Sequence, residues 1–197
     1  MSKTAGLYAW QPAARRWQQI MAPDNAYSAL GTLALAPDGA LFLANYDRMR
    51  RSQDRGASWS EVKMPAASGV LLGFATNYTA TQTVFGLFGS EPPRLFRSSD
   101  AGRTWTAVGA NLKLPAFAYG FKLLPAADVL YLYRSDYAGQ SELFRSLDNG
   151  DTWQAAPADV ARGTVQAALA PDGRLWFTRQ DGLQGVAPGD LRWLALP

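Results

Sequence analysis

Hydrophobic residues in this chain come in short runs broken by turn residues, and no 3.6-residue period appears in any segment. Leu33-Ala34-Leu35 leads into Pro37-Asp38-Gly39, and Leu41-Phe42-Leu43-Ala44 follows. That is the pattern of two strands joined by a tight turn. Arg48 to Arg51 then reads as a polar third strand and Trp59-Ser60-Glu61-Val62 as a fourth. The plan returns twice. Within 69–109 the predicted strands are Val70 to Ala75, Val84 to Phe88, Leu95-Phe96-Arg97 and Trp105-Thr106-Ala107-Val108. Within 116–157 they are Phe117 to Leu124, Val129 to Tyr133, Leu143-Phe144-Arg145 and Trp153-Gln154-Ala155. A last unit, 164–197, has Val165 to Leu169, a second Pro-Asp-Gly turn at 171–173, Leu175 to Thr178, Leu183 to Val186, and Trp193 opening a fourth strand. Ahead of all these, Leu7-Tyr8-Ala9-Trp10 and Arg16 to Ile20 flank a turn and make two strands only.

The joint between third and fourth strands carries a repeated motif, Ser-x-Asp-x-Gly-x-Thr/Ser-Trp. It is Ser52, Asp54, Gly56, Ser58 and Trp59; then Ser98, Asp100, Gly102, Thr104 and Trp105; then Ser146, Asp148, Gly150, Thr152 and Trp153. The serines are 98 − 52 = 46 and 146 − 98 = 48 residues apart. A pattern that returns at a near-constant interval of this size declares a repeat architecture. Each residue type suits a rigid hairpin end. The Asp carboxylate accepts backbone N–H groups of its own turn, and the Ser hydroxyl does so more weakly. Gly takes a positive-φ position. Trp begins the next strand and fills the layer between sheets. Trp17 and Trp193 extend the tryptophan series to intervals of 42, 46, 48 and 40, a suitable length for a four-stranded unit.

The three segments resemble Asp-boxes, the bacterial neuraminidase repeats, with Ser58 in place of the usual Thr. The resemblance spans nearly the whole chain. It implies an all-β fold: a β-propeller of four-stranded antiparallel blades, about four complete blades plus an N-terminal half blade, in a single domain, 1–197. The family includes sialidases and many non-catalytic propellers, among them sortilin-like receptors and photosystem-assembly factors, so the fold does not decide activity. The half blade leaves three arrangements open: a small ring with one thin blade, part of a longer propeller, or an open arc completed by a second copy through an unpaired strand edge.

Composition narrows the chemistry. The chain has 197 residues, 48% of them hydrophobic and 18% charged, which is globular. A net charge of +3 without a basic cluster gives no nucleic-acid footprint. Cysteine and histidine are both absent, which excludes disulfides, thiolate or imidazole metal sites, and Ser-His-Asp catalysis. No cofactor or metal is expected. No signal-like or membrane-spanning run is visible, so the default expectation is a soluble, cytoplasmic protein without a membrane partner.

A sialidase, by the resemblance, needs an arginine triad, a Tyr/Glu pair and an Asp acid on inner strands or axial loops. The predicted inner strands carry only Lys122 as a cation, and the three glutamates are Glu61, Glu91 and Glu142. The expectation is therefore a non-enzymatic interaction or scaffolding module, with protein or self-association as the partner. A carbohydrate-binding propeller is the alternative. Candidate binding residues lie on the loops between second and third strands: Tyr46, Asp47, Arg48, Arg134, Asp136, Tyr137, Arg179 and Asp181. Tyr and Arg suit protein interfaces, and Tyr with Asp and Arg also suits sugars. Arg51, Arg97 and Arg145, one before each motif, are expected to lie along the sheet with their heads in water.

Overall fold

A computed structural model describes residues 6–22, 32–44, 48–67, 70–89, 92–115, 120–126, 129–135, 141–156, 164–170, 174–179 and 182–186. A two-stranded hairpin comes first, β1 (Leu7–Gln11) with β2 (Arg16–Met21). Three four-stranded antiparallel meanders follow. The first is β3 (Thr32–Leu35), β4 (Leu41–Ala44), β5 (Met49–Ser52) and β6 (Ser60–Val62). The second is β7 (Val70–Phe74), β8 (Val84–Phe88), β9 (Arg94–Ser98) and β10 (Thr106–Ala107). The third is β11 (Phe121–Pro125), β12 (Leu130–Ser135), β13 (Ser141–Ser146) and β14 (Gln154–Ala155). A sheet of β15 (Thr164–Leu169), β16 (Leu175–Arg179) and β17 (Gly182–Val186) completes the described elements. The fourth strand expected at Trp193 lies outside the described residues. A single helical turn, α1 (Tyr78–Thr81), stands between β7 and β8, where the hydrophobic pattern predicts none.

The second strands of the two middle sheets, β8 and β12, are apolar on both faces, and strand alternation sends their residues into two different cores. On β8, Val84 and Phe88 join Phe42, Met49 and Val62 of the first sheet, while Phe85 and Leu87 join Leu123, Leu132 and Trp153 of the third. On β12, Leu130 and Leu132 face back, while Tyr131 and Tyr133 face forward onto Ala167, Leu175 and Phe177. Each core is thus a layer between consecutive sheets. Burying one such side chain contributes roughly 1.5–3 kcal/mol. The innermost strands touch in the order β3, β7, β11, β15. Among the described residues no comparable contact returns from β15 to β3.

The β1–β2 hairpin sits where the outer half of a preceding sheet would sit. Ile20, Val62 and Val108 each follow their tryptophan by three residues. A Cβ added to Gly102 would lie 3.4 Å from Val62, and one on Gly150 would lie 3.7 Å from Val108. Ile20 takes the same place against Gly56, at 2.6 Å. The hairpin is therefore a half unit, as the sequence predicts, but its aromatics are not core. Trp10 and Trp17 meet edge to face at 5.6 Å. Trp17 is 66% exposed, whereas Trp153 is 5% exposed. The tryptophans of the three motifs also stand one residue ahead of β6, β10 and β14 rather than inside them.

Candidate functional site

The motif turns are built alike. Asp54-Arg55-Gly56-Ala57 has φ of +59° at Arg55 and +91° at Gly56, and the Ala57 amide donates to the Asp54 carbonyl at 3.3 Å. Two successive positive φ angles are the signature of a type I′ turn, whose twist suits a hairpin. Ala101 and Asn149 hold the same position at +58° and +57°. Positive φ, expected of the glycine alone, extends to the residue before it, where a Cβ makes it costly. The Ser hydroxyl does more than expected. Ser98 Oγ donates to Asp100 Oδ1 at 2.7 Å and accepts the amides of Asp100 at 3.2 Å and Gly102 at 2.8 Å. Asp100 in turn takes the Thr104 amide at 2.8 Å and the Thr104 hydroxyl at 2.5 Å. Ser52–Asp54–Ser58 and Ser146–Asp148–Thr152 repeat the geometry, so Ser58 replaces Thr without loss of a bond.

These bonds hold the carboxylates ionised. The Ser58 hydroxyl, then the Ser58 amide and the Ser52 hydroxyl, bring Asp54 down to about 2. The Thr152 hydroxyl and amide do the same for Asp148, also to about 2, against an opposing effect of burial and with help from the Ser146 hydroxyl. At Asp100, burial pushes the value up, but Thr104 and Ser98 together outweigh it and the net shift is down. A depressed carboxylate stabilises the fold fully above its unfolded value of about 4, and this stabilisation is lost as pH falls through the folded value. The melting midpoint is therefore expected to fall mainly between about pH 4 and 2. A triple Asp54→Asn, Asp100→Asn, Asp148→Asn variant should show a shallower fall in that window. A fall completed by about pH 5 would assign acid sensitivity to other groups.

Side chains also tie consecutive sheets. Arg97 Nη1 donates to the Asn149 carbonyl at 2.7 Å and lies 3.1 Å from Asp151. Asn111 grips the Trp153 backbone at both ends, donating to its carbonyl at 2.7 Å and accepting its amide at 3.1 Å. Lys122 Nζ donates to the Ala167 carbonyl at 3.1 Å. The expectation for the arginines needs correction. Arg51 is buried, 3.6 Å from Asp38 and with its guanidinium 5.5 Å from the Phe42 ring centre. Its head lies inside the fold beside the Asp38 carboxylate rather than in water.

Of the candidate loop residues, Tyr46, Asp47, Asp136, Tyr137 and Asp181 lie outside the described residues. Arg48 is exposed just before β5. Arg134 is the penultimate residue of β12 and pairs with Glu142 at 2.8 Å, its cross-strand neighbour. Arg179 ends β16, its backbone opposite Thr164 and Gly182. The antiparallel meander puts these three arginines on the sheet edge opposite the motif turns. Among the described residues no group of three or more acidic side chains is placed to hold a metal ion, and no helix is long and apolar enough to cross a membrane.

No family model matches the chain, and no curated protein matches it by sequence. Solved structures do. The Niastella koreensis GH74 enzyme superposes with a TM-score of 0.71 at 18% identity, over 94% of this chain and 33% of that one. YCF48 bound to a D1 peptide gives 0.60 at 16% identity, over 87% of this chain and 55% of that one. A chain of the nidogen/laminin complex gives 0.63 at 11% identity, over 93% and 70%. The fold is a β-propeller. The four larger sheets are its blades, and β1–β2 is half of another. The chain spans a third of the GH74 protein's length and about half of YCF48's.

Proposed function

We infer that this propeller is a non-enzymatic interaction module that binds a protein partner through the blade edge carrying Arg48, Arg134 and Arg179. The three turns are read as Asp-boxes with a structural role. The observation that carries the reading is the state of the repeated carboxylates. Asp54, Asp100 and Asp148 are engaged by their own turns and kept below the usual carboxylate range, so they are poor proton donors at neutral pH. Glu142 is taken by Arg134. Two of the structural neighbours support the same direction, one carrying a D1 peptide and one from a protein complex.

The test is selection from a random peptide library on the immobilised wild type, run beside a glycan array and fluorogenic glycosides. Selected peptides are expected to lose at least about tenfold in affinity to Arg48→Ala or Arg134→Ala, the loss of one charged anchor. Glycan binding that disappears in Arg134→Ala would replace this reading with the carbohydrate-binding one. Turnover of any glycoside would end the non-enzymatic assignment.

A further inference from the structure

The motif turn of the third blade contains a chemically labile peptide. Asparagine is a thermolabile residue, and it is most labile before glycine, whose unhindered amide nitrogen can attack the side chain. Asn149-Gly150 is the one Asn-Gly pair in the chain. The first two motifs carry Arg55 and Ala101 at the position of Asn149, and neither side chain offers that nitrogen a carbonyl carbon. Asn149 is exposed at a hairpin end. Its sequence and its exposure both mark it for rapid conversion.

The turn holds the pair shut. Asn149 and Gly150 have φ of +57° and +93°, and the Asp151 amide donates to the Asp148 carbonyl at 3.3 Å, so both are central residues of a type I′ turn. The peptide between them is fixed at both ends. Its oxygen accepts from Arg97 Nη1 of the second blade at 2.7 Å. Its N–H donates to Ser146 Oγ at 2.8 Å in a buried bond. Phe85 of the second blade closes the remaining space, since a Cβ on Gly150 would lie 3.1 Å from its ring. Attack requires the Gly150 nitrogen to turn about the Asn149 Cα–C bond until it meets the side-chain Cγ. That one rotation takes the oxygen off Arg97 and the N–H off Ser146.

We propose that Asn149 is a latent modification site, converted to isoaspartate and aspartate only when its turn leaves its place on the second blade. In the open turn the Gly150 nitrogen loses its proton and bonds to Asn149 Cγ. The side-chain nitrogen departs with a proton as ammonia. Water then adds across either C–N bond of the five-membered imide, giving aspartate or isoaspartate. The net change is one water taken up and one ammonia released. Either product damages the joint that let it form. Isoaspartate adds a methylene to the backbone between Asp148 and Gly150 and so displaces the oxygen that Arg97 holds. Aspartate sets a third carboxylate beside Asp148 and Asp151. Conversion makes a transient opening permanent. The site is separate from the arginine edge and does not depend on what that edge binds.

The test is peptide mapping by mass spectrometry, with isoaspartyl methylation as a second readout, on full-length protein held in mildly alkaline buffer. A modification that proceeds from an open state follows the population of that state. Folded wild type is expected to convert at Asn149 at least about tenfold more slowly than wild type in urea. Ser146→Ala, folded by circular dichroism, should convert at least about tenfold faster than folded wild type, the change in open population that one buried hydrogen bond sets. Arg97→Gln should also convert faster, and its half-buried side chain makes it the variant to rely on should Ser146→Ala not fold. Ser52→Ala breaks the same bond in the first blade and should leave the Asn149 rate unchanged. Folded wild type converting as fast as the unfolded chain would overturn the proposal. So would Ser146→Ala and Arg97→Gln proteins that convert no faster than wild type. Equal acceleration by Ser52→Ala and Ser146→Ala would overturn it too, by assigning conversion to global unfolding.

Discussion

Replacing Trp153 with alanine is expected to cost about 3–5 kcal/mol, the range for emptying a buried aromatic site. The indole lies between the second and third blades with Phe85, Leu95 and Leu123 in the same core. Its Nε1 donates to the Gly150 carbonyl at 3.0 Å, so the ring also braces the turn that precedes it. The backbone around it cannot easily collapse into the space. Asn111 holds the Trp153 amide and carbonyl, and a Cβ on Gly109 would stand 3.0 Å from the ring. A cavity that neighbours cannot fill keeps its full penalty. A domain has roughly 5–15 kcal/mol of stability, so this one change removes a large share. Urea unfolding followed by circular dichroism gives the value. A loss under about 1 kcal/mol would mean that the two blades repack without the ring. Trp153→Phe, which keeps most of the apolar volume but loses the indole donor, should fall between the two.

How far the fold could be read from sequence depended on what was periodic. The three Ser-x-Asp-x-Gly-x-Thr/Ser-Trp segments marked the repeat length, the hairpin ends and the sheet order, and the described strands lie within a few residues of the expected runs, the motif tryptophans standing just ahead of theirs. Single residues that act between blades gave no such signal. Asn111 is one amide in a polar loop, and nothing in its neighbours marks it as a surrogate strand partner for Trp153. Arg51, Arg97 and Arg145 repeat in sequence but not in role. Arg51 is buried beside Asp38, Arg97 reaches the next motif at Asn149 and Asp151, and Arg145 Nε donates to Gln154 at 3.0 Å in its own blade. The partner decides the role, and the partners are not periodic. The position before the motif glycine was hidden for another reason. Only Asn149 belongs to a type that tolerates positive φ well; Arg55 and Ala101 adopt it in turns whose next amide is held by the motif serine. The candidate binding arginines were expected on loops; Arg48 lies just before β5, whereas Arg134 and Arg179 belong to the last residues of β12 and β16.

Ser98→Ala is expected to cost about 1–3 kcal/mol, more than an ordinary surface hydroxyl, because it strips the acceptor from a buried amide. Ser98 is 1% exposed, and its oxygen takes the Gly102 amide at 2.8 Å in a buried bond. Without it that amide loses its acceptor, and the Asp100 carboxylate loses a donor at 2.7 Å. Asp100→Ala removes the acceptor of the Thr104 amide and hydroxyl from the same turn. If Ser and Asp act as one unit, the damage done by the first change includes much of the damage done by the second. The double variant should then cost less than the sum of the singles, with a coupling of about 0.5–3 kcal/mol, the range for residues in one hydrogen-bond network. The same cycle at Ser146 and Asp148 should give a similar coupling, since the bond lengths there match to within 0.2 Å. Additive losses at both motifs would mean that Ser and Asp brace the turn independently. The spacing conserved within the chain would then reflect the geometry of the type I′ turn alone, with the hydroxyl and the carboxylate as separate supports on either side of it.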